Sequence, residues 1–363
     1  MPQINADNTN HNKSNFWSFY PRLSAAKPLR TLKLCKLCNS ATKTVFALNS
    51  YNFMFSSITQ PNYPDAALGI ETNAITAVAM QGGGRRAFAV KQAASVDLPP
   101  GLINPSFLDS NIAHGDEFMA CLSEAIEIAG LIKQKRWSIA LPSNTARTAI
   151  LALDSEPTSK QEAEEVLDWK AEQNFGAPAA ELRLAKQKIS PDKDGRSRYF
   201  ATAVKLSVIA EYERHFESLG WKAGLILPRA VGEANWLMDS KAQADSLLIS
   251  GHSEGFTALL LRGSEPAVVR SVTCTPAEID DEIYRLVMFY NDRFGGAQGN
   301  GILERLLVVG RSLIPARVQS IASEALGKNL RVLSPDEVGL SLPGGGPSFD
   351  DIAAPAGLAA LGT

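Results

Sequence analysis

Two short turns concentrate residue types suited to gripping a phosphate. Between the strand patterns Leu68–Ile70 and Ile75–Met80 lie Glu71, Thr72 and Asn73. Far along the chain, Ser250, Gly251, His252, Ser253, Glu254 and Gly255 separate Leu247–Ile249 from Phe256–Leu261, with Thr257 just inside the second strand. A tight turn of small and hydroxyl residues exposes backbone N–H groups to anionic oxygens. An acid at a strand end can hold a hydrated magnesium ion. His252 has no catalytic partner beside it, so it reads as an exposed turn histidine. The other histidines are His11, His114 and His215, and they suggest no Ser-His-Asp or Cys-His arrangement.

Each turn must be positioned by the elements around it, and those elements repeat. In the first half, Ala66–Ile70 and the strand through Met80 alternate with a period of two. Gly82-Gly83-Gly84-Arg85-Arg86 reads as a hairpin turn, because no helix starts after it to make an anion site. A third strand is expected near Ala87–Ala93, a helix over Asp116–Ala129 with Phe118, Leu122, Ala125 and Ile126 inward, and a buried strand at Trp137–Pro142. The second half runs Leu247–Ile249, turn, Phe256–Leu261, Gly263-Ser264, Ala267–Val272, a helix after the capping box Thr275–Glu278, and the buried strand Arg305–Val309. Repetition of a whole unit says more than any single element. Between the halves, a capping box at Ser159–Glu162 opens a helix with Ala163, Val166, Leu167 and Phe175 inward, closed by Gly176. Tyr199–Lys205 is a strand, Ser207 caps a helix, and Ala223–Leu227 is a further strand. The expected domains are 64–145, the first part of one lobe; 146–227, a small α+β insert; and 228–363, the second lobe.

The chain has 363 residues and is 45% hydrophobic, enough for a sizeable core. A net charge of -2 gives no basic field for nucleic acid. No apolar run is long enough to span a membrane. Cys35, Cys38, Cys121 and Cys274 make no disulfide framework, which suits a reducing compartment. Residues 1–63 differ from the rest: Asn, Ser, Thr and Lys dominate, and Asp7 is the only acid before Pro64. This stretch reads as a disordered tail, a transit-like leader, or an over-extended start with Met54 as the first residue. Its lone CxxC, Cys35 and Cys38, lacks the second pair a structural zinc site needs.

From Leu68 onward the sequence resembles the PilM family of actin-like type IV pilus assembly proteins, kin to FtsA. GIETNAITAV resembles that family's first phosphate loop. YFATAVKLSVIAEYERHFESLGWKAGLILPRA resembles its insert, LLVVGRSLIPARVQSIASEALGKNLRVLSP its adenosine-side segment, and SFDDIAAPAGLAALG its closing helix. The resemblance implies an α/β fold of duplicated ribonuclease H-like, actin-like lobes with a small α+β insert. It implies a cleft in which ATP and magnesium would meet Glu71, Thr72, Asn73, Gly251, Ser253, Gly255, Thr257 and Gly310.

The sequence departs from that pattern where charge matters. Thr72 and Asn73 replace an apolar-Gly step. Thr76 stands where a Lys is expected, Ile249 where an Asp is expected, and Gly310-Arg311 replaces Gly-Gly. Each lost charge-assisted contact costs about 1.5–3 kcal/mol. The expectation is therefore weak or lost nucleotide binding and no catalytic residue. The function implied is a cytoplasmic scaffold, peripheral to the inner membrane, docked on the N-terminal peptide of a PilN-like bitopic partner. Self-association stays open. An active ATPase or small-molecule kinase of the same superfamily is the alternative.

Overall fold

In chain order, β1 (Ala66–Ile70), β2 (Ala74–Gly83) and β3 (Ala87–Asp97) form a meander, followed by α1 (Gly115–Ile128) and β4 (Arg136–Leu141). Next come β5 (Arg147–Ala152), α2 (Lys160–Phe175), β6 (Leu182–Ile189), β7 (Arg198–Lys205), α3 (Leu206–Ser218), β8 (Lys222–Pro228) and α4 (Arg229–Ala234). The pattern then returns as β9 (Asp245–His252), β10 (Gly255–Arg262), β11 (Glu265–Thr273), α5 (Ile279–Phe294), β12 (Leu303–Val309), α6 (Pro315–Leu326) and β13 (Arg331–Val332). β14 (Leu340–Ser341) and α7 (Phe349–Ala359) follow. The computed structural model describes residues 62–83, 87–238, 244–295 and 302–363. The expected tail, Cys35, Cys38 and the Gly84–Arg86 end of the glycine turn lie outside the described residues.

Apart from the extra edge strand β14, which pairs parallel with β3, the two large sheets have the same strand order. The first reads β14-β3-β2-β1-β4-β8 and the second β11-β10-β9-β12-β13. In each, the first three strands are antiparallel and the next two join parallel to the first strand's free side. This is the duplicated ribonuclease H-like, actin-like architecture. β1 holds the centre of its sheet because all five of its residues are apolar or glycine and all are buried. Glu71 N–H donates to Ala74 O at 2.9 Å, closing the first hairpin with Ile70 opposite Ile75. In the second lobe, β9 runs longer than Leu247–Ile249. Its polar flanks Asp245, Ser246 and Ser250 are buried as well, and Asp245 accepts from the Tyr290 hydroxyl at 2.9 Å.

The insert is a separate three-stranded sheet, β5-β7-β6, with α2 on one face. Ser159 caps α2 by accepting from Glu162 N–H at 3.1 Å, and Gly176 ends it at φ 69°. Leu167, Ala171 and Phe175 face its core, while Ala163 and Val166 are half-buried. Two elements read with the insert also reach the first lobe. β8 pairs parallel with β4 in the first sheet. α3 starts at Leu206, and its Tyr212 and His215 rings pack edge-on against Phe118 of α1, at 6.2 and 5.7 Å between centroids. Residues read with the second lobe also return to the first: β14 pairs with β3, and α7 packs beneath β1, β2 and β4. That packing explains a glycine in the middle of a central strand. A Cβ at Gly69 would lie 3.0 Å from the Pro355 ring. The Thr275–Glu278 box forms a turn just ahead of α5, in which the Thr275 hydroxyl and N–H both donate to Glu278.

Candidate functional site

The first hairpin turn and the second come together. Thr72 and Asn73 line a cavity of about 560 Å³ with Ser253 and Glu254, and its far wall is Ile103–Ser106, Asp109 and Ser110. Among the described residues no Lys or Arg lines it, whereas Asp109 and Glu254 do. A polyphosphate entering there meets two carboxylates and no cation. Asp109 accepts from Ser106 Oγ at 3.2 Å, and Glu254 accepts from Asn144 Nδ2 at 2.5 Å.

Glu71 turns away from this cavity. Its carboxylate pairs with a guanidinium nitrogen of Arg229, the first residue of α4. Arg229 is 5% exposed, and its other two nitrogens are bonded too. Nε donates to Glu233, one helical turn on and fully buried, and Nη2 donates to Asp350 O at 3.0 Å. A buried cation thus already satisfies the acid a magnesium site would use. His252 also faces this group. Burial and the nearby Arg229 charge push its pKa down from 6.5 to about 4. The imidazole is therefore neutral near pH 7 and half-buried, unlike the exposed turn residue expected from sequence.

The remaining candidates are backbone-packing positions. Gly310, at φ 120°, lies against Gly251, and a Cβ on it would be 2.6 Å from Gly251 O. The expected adenosine loop therefore touches the second phosphate turn directly. Gly310 N–H donates to Asp350 Oδ1 at 2.7 Å, and Arg311 pairs with Asp351 at 2.7 Å. Gly255, at φ 136°, starts β10 close to Val272 O. Thr257 is buried in β10 with its hydroxyl 3.4 Å from Ser271 Oγ, so it belongs to the sheet and not to the cavity. The two substituted positions have no access to a ligand. Ile249 is fully buried in the core of the second lobe, and Thr76 is 2% exposed and bonds Ser95 Oγ at 3.0 Å.

Sequence reasoning missed Arg229, Glu233, Asp350 and Asp351. A signal existed for the first two: Pro228-Arg229 at a strand end with Glu233 four residues on, the spacing of a helical ion pair. Magnesium and a triphosphate do not fit these residues. The acid is paired, the cavity is acidic, and the expected cation and second acid are replaced by sheet-bound Thr76 and core Ile249.

Among solved structures, the chain is similar to one from a PilM–PilN type IV pilus biogenesis complex. The identity is 18% and the TM-score 0.66, covering 83% of this chain and 99% of that one. This chain has that actin-like fold. Looser likenesses, both at a TM-score of 0.42, are to the cytoplasmic domain of EpsL, an inner membrane component of the type II secretion system of Vibrio cholerae, and to the ethanolamine utilization protein EutJ of Carboxydothermus hydrogenoformans. The first is 10% identical over 82% of this chain and 94% of the other, the second 9% over 82% and 90%. No family model and no curated protein matches the sequence.

Proposed function

We propose that this chain is a scaffold of a type IV pilus assembly machine, held at the cytoplasmic face of the inner membrane by the N-terminal peptide of a PilN-like single-span partner. One observation carries the reading: the fold of the PilM–PilN structure is reproduced over 99% of that chain. Among the described residues no helix is long and apolar enough to cross a membrane, which fits attachment through a partner. An extended peptide can dock by strand or pocket contacts, and neither needs an intact nucleotide site.

Nucleotide binding is weak or lost in this reading. Magnesium–ATP would have to draw Glu71 off Arg229. Breaking a buried ion pair costs about 3–5 kcal/mol, and Glu71, with 24% of its side chain exposed, argues for the lower end. Even about 3 kcal/mol moves a micromolar affinity a hundredfold toward millimolar.

Cell fractionation tests the tether. With a PilN-like single-span partner present, the chain should sediment with membranes. With that partner deleted, it should move to the soluble fraction. Retention on membranes without the partner would overturn the proposal.

A further inference from the structure

One group of polar contacts between the first and second lobes is gathered at a helix end, beside others such as Asn144 to Glu254 and, from the insert, Ser190 N–H to Glu265. Asp350 and Asp351 form the first turn of α7, which is packed on the first sheet. Gly310 and Arg311 follow β12 of the second sheet. Asp350 takes the Gly310 N–H, and one oxygen of Asp351 takes both Nε and Nη2 of Arg311 at 2.7 Å. The other oxygen of Asp351 accepts from Ser348 Oγ at 2.7 Å and from Ser348 N–H at 3.2 Å. That reciprocal capping box fixes where the carboxylate points. Burial pushes the Asp351 carboxyl up, but the Arg311 and Ser348 hydrogen bonds outweigh it and hold it below the ordinary carboxylate range. Asp351 is thus ionised and rigidly aimed, while half of the Arg311 side chain is exposed.

The contact reaches further than its two residues. Gly310 lies beside Gly251, with no room for a Cβ between them, at the ends of the paired strands β12 and β9, so the Gly310 loop and the turn Gly251–Gly255 are neighbours. That turn carries Glu254, which accepts from Asn144 of the first lobe at 2.5 Å. The loop that the family resemblance assigns to adenosine is therefore engaged by the chain's own acids.

We propose that the Gly310-Arg311 to Asp350-Asp351 contact is an internal latch that keeps the two lobes closed without a nucleotide. Its Arg311–Asp351 half is partly solvated, so salt weakens it, whereas the apolar packing of each lobe is insensitive to screening. The latch follows from the contacts alone and does not depend on the pilus reading.

Hydrogen exchange read by mass spectrometry tests it on the full chain. In Arg311→Ala, exchange over Gly251–Gly255 and Gly310–Leu313 should rise about tenfold, while the insert helix α2 stays unchanged. Arg311→Lys keeps the charge and should recover part of the protection. Raising salt to about 1 M should deprotect the same segments in the native chain and add little in Arg311→Ala. Exchange within about twofold of the native chain in Arg311→Ala would overturn the latch, as would an equal salt effect in both proteins. A rise spread over α2 and both sheets would also overturn it, by showing global destabilisation and no local opening.

Discussion

Replacing His252 with glutamine should flatten the acid side of the stability curve. In the folded protein, burial and the adjacent Arg229 lower the imidazole pKa from 6.5 to about 4. In the unfolded chain it returns to its ordinary value. The unfolded state therefore takes the proton first. The stability is complete above the unfolded pKa and is lost as pH falls from about 6.5 toward about 4. Between about pH 7 and pH 5 the two protonation curves diverge by about 2 kcal/mol. Ordinary carboxylates contribute little over that range, because they titrate at about pH 4. Urea melts across this range measure the loss directly. Glutamine offers an oxygen in place of Nδ1, which accepts from Glu254 N–H at 3.3 Å, and it cannot take the charge. The variant should lose less than about 0.5 kcal/mol over the same range, whatever its stability at neutral pH. Equal slopes in the two proteins would refute the assignment of a buried neutral histidine beside Arg229.

Other expectations follow from the same geometry. Arg229→Met removes the ion-pair partner of the fully buried Glu233, so it should cost about 3–5 kcal/mol in a denaturant melt. Gly357→Ala places a Cβ 2.0 Å from Gly232 O, where α4 and α7 cross, and should destabilise by at least about 1–3 kcal/mol. Calorimetric titration of ATP with magnesium should give a dissociation constant near the millimolar range or no measurable heat. A low-micromolar constant would revive the ATPase reading.

Much of the fold was legible because it is local. Period-two strands broken by Gly and Asn turns, and helices opened by boxes such as Ser159–Glu162, carry their own signals. The repeated order of those elements then points to two related lobes. What was hidden is long-range. Nothing in the run Ala223–Leu227 says that it pairs with β4 and not with the insert, since a buried strand looks the same in either sheet. The return of Leu340–Ser341 and α7 to the first sheet is equally silent, though Gly69 within an apolar strand was a trace of it. At the site, residue types showed that the charges expected at Thr76 and Ile249 were missing. They did not show what had replaced them. Arg229 reaches Glu71 from a helix more than a hundred positions away in sequence, and Arg311 meets Asp351 forty residues on. Such pairs are set by the crossing of elements and leave no periodic mark.

The central claim is that this actin-like body docks a partner peptide with its cleft held by its own residues. The direct measurement is a binding titration of the N-terminal peptide of the proposed PilN-like single-span partner, run with and without ATP and magnesium. The account predicts saturable binding with dissociation constants that agree within about twofold in the two conditions. Binding that appears only when nucleotide is present would contradict it, and so would no binding in either condition.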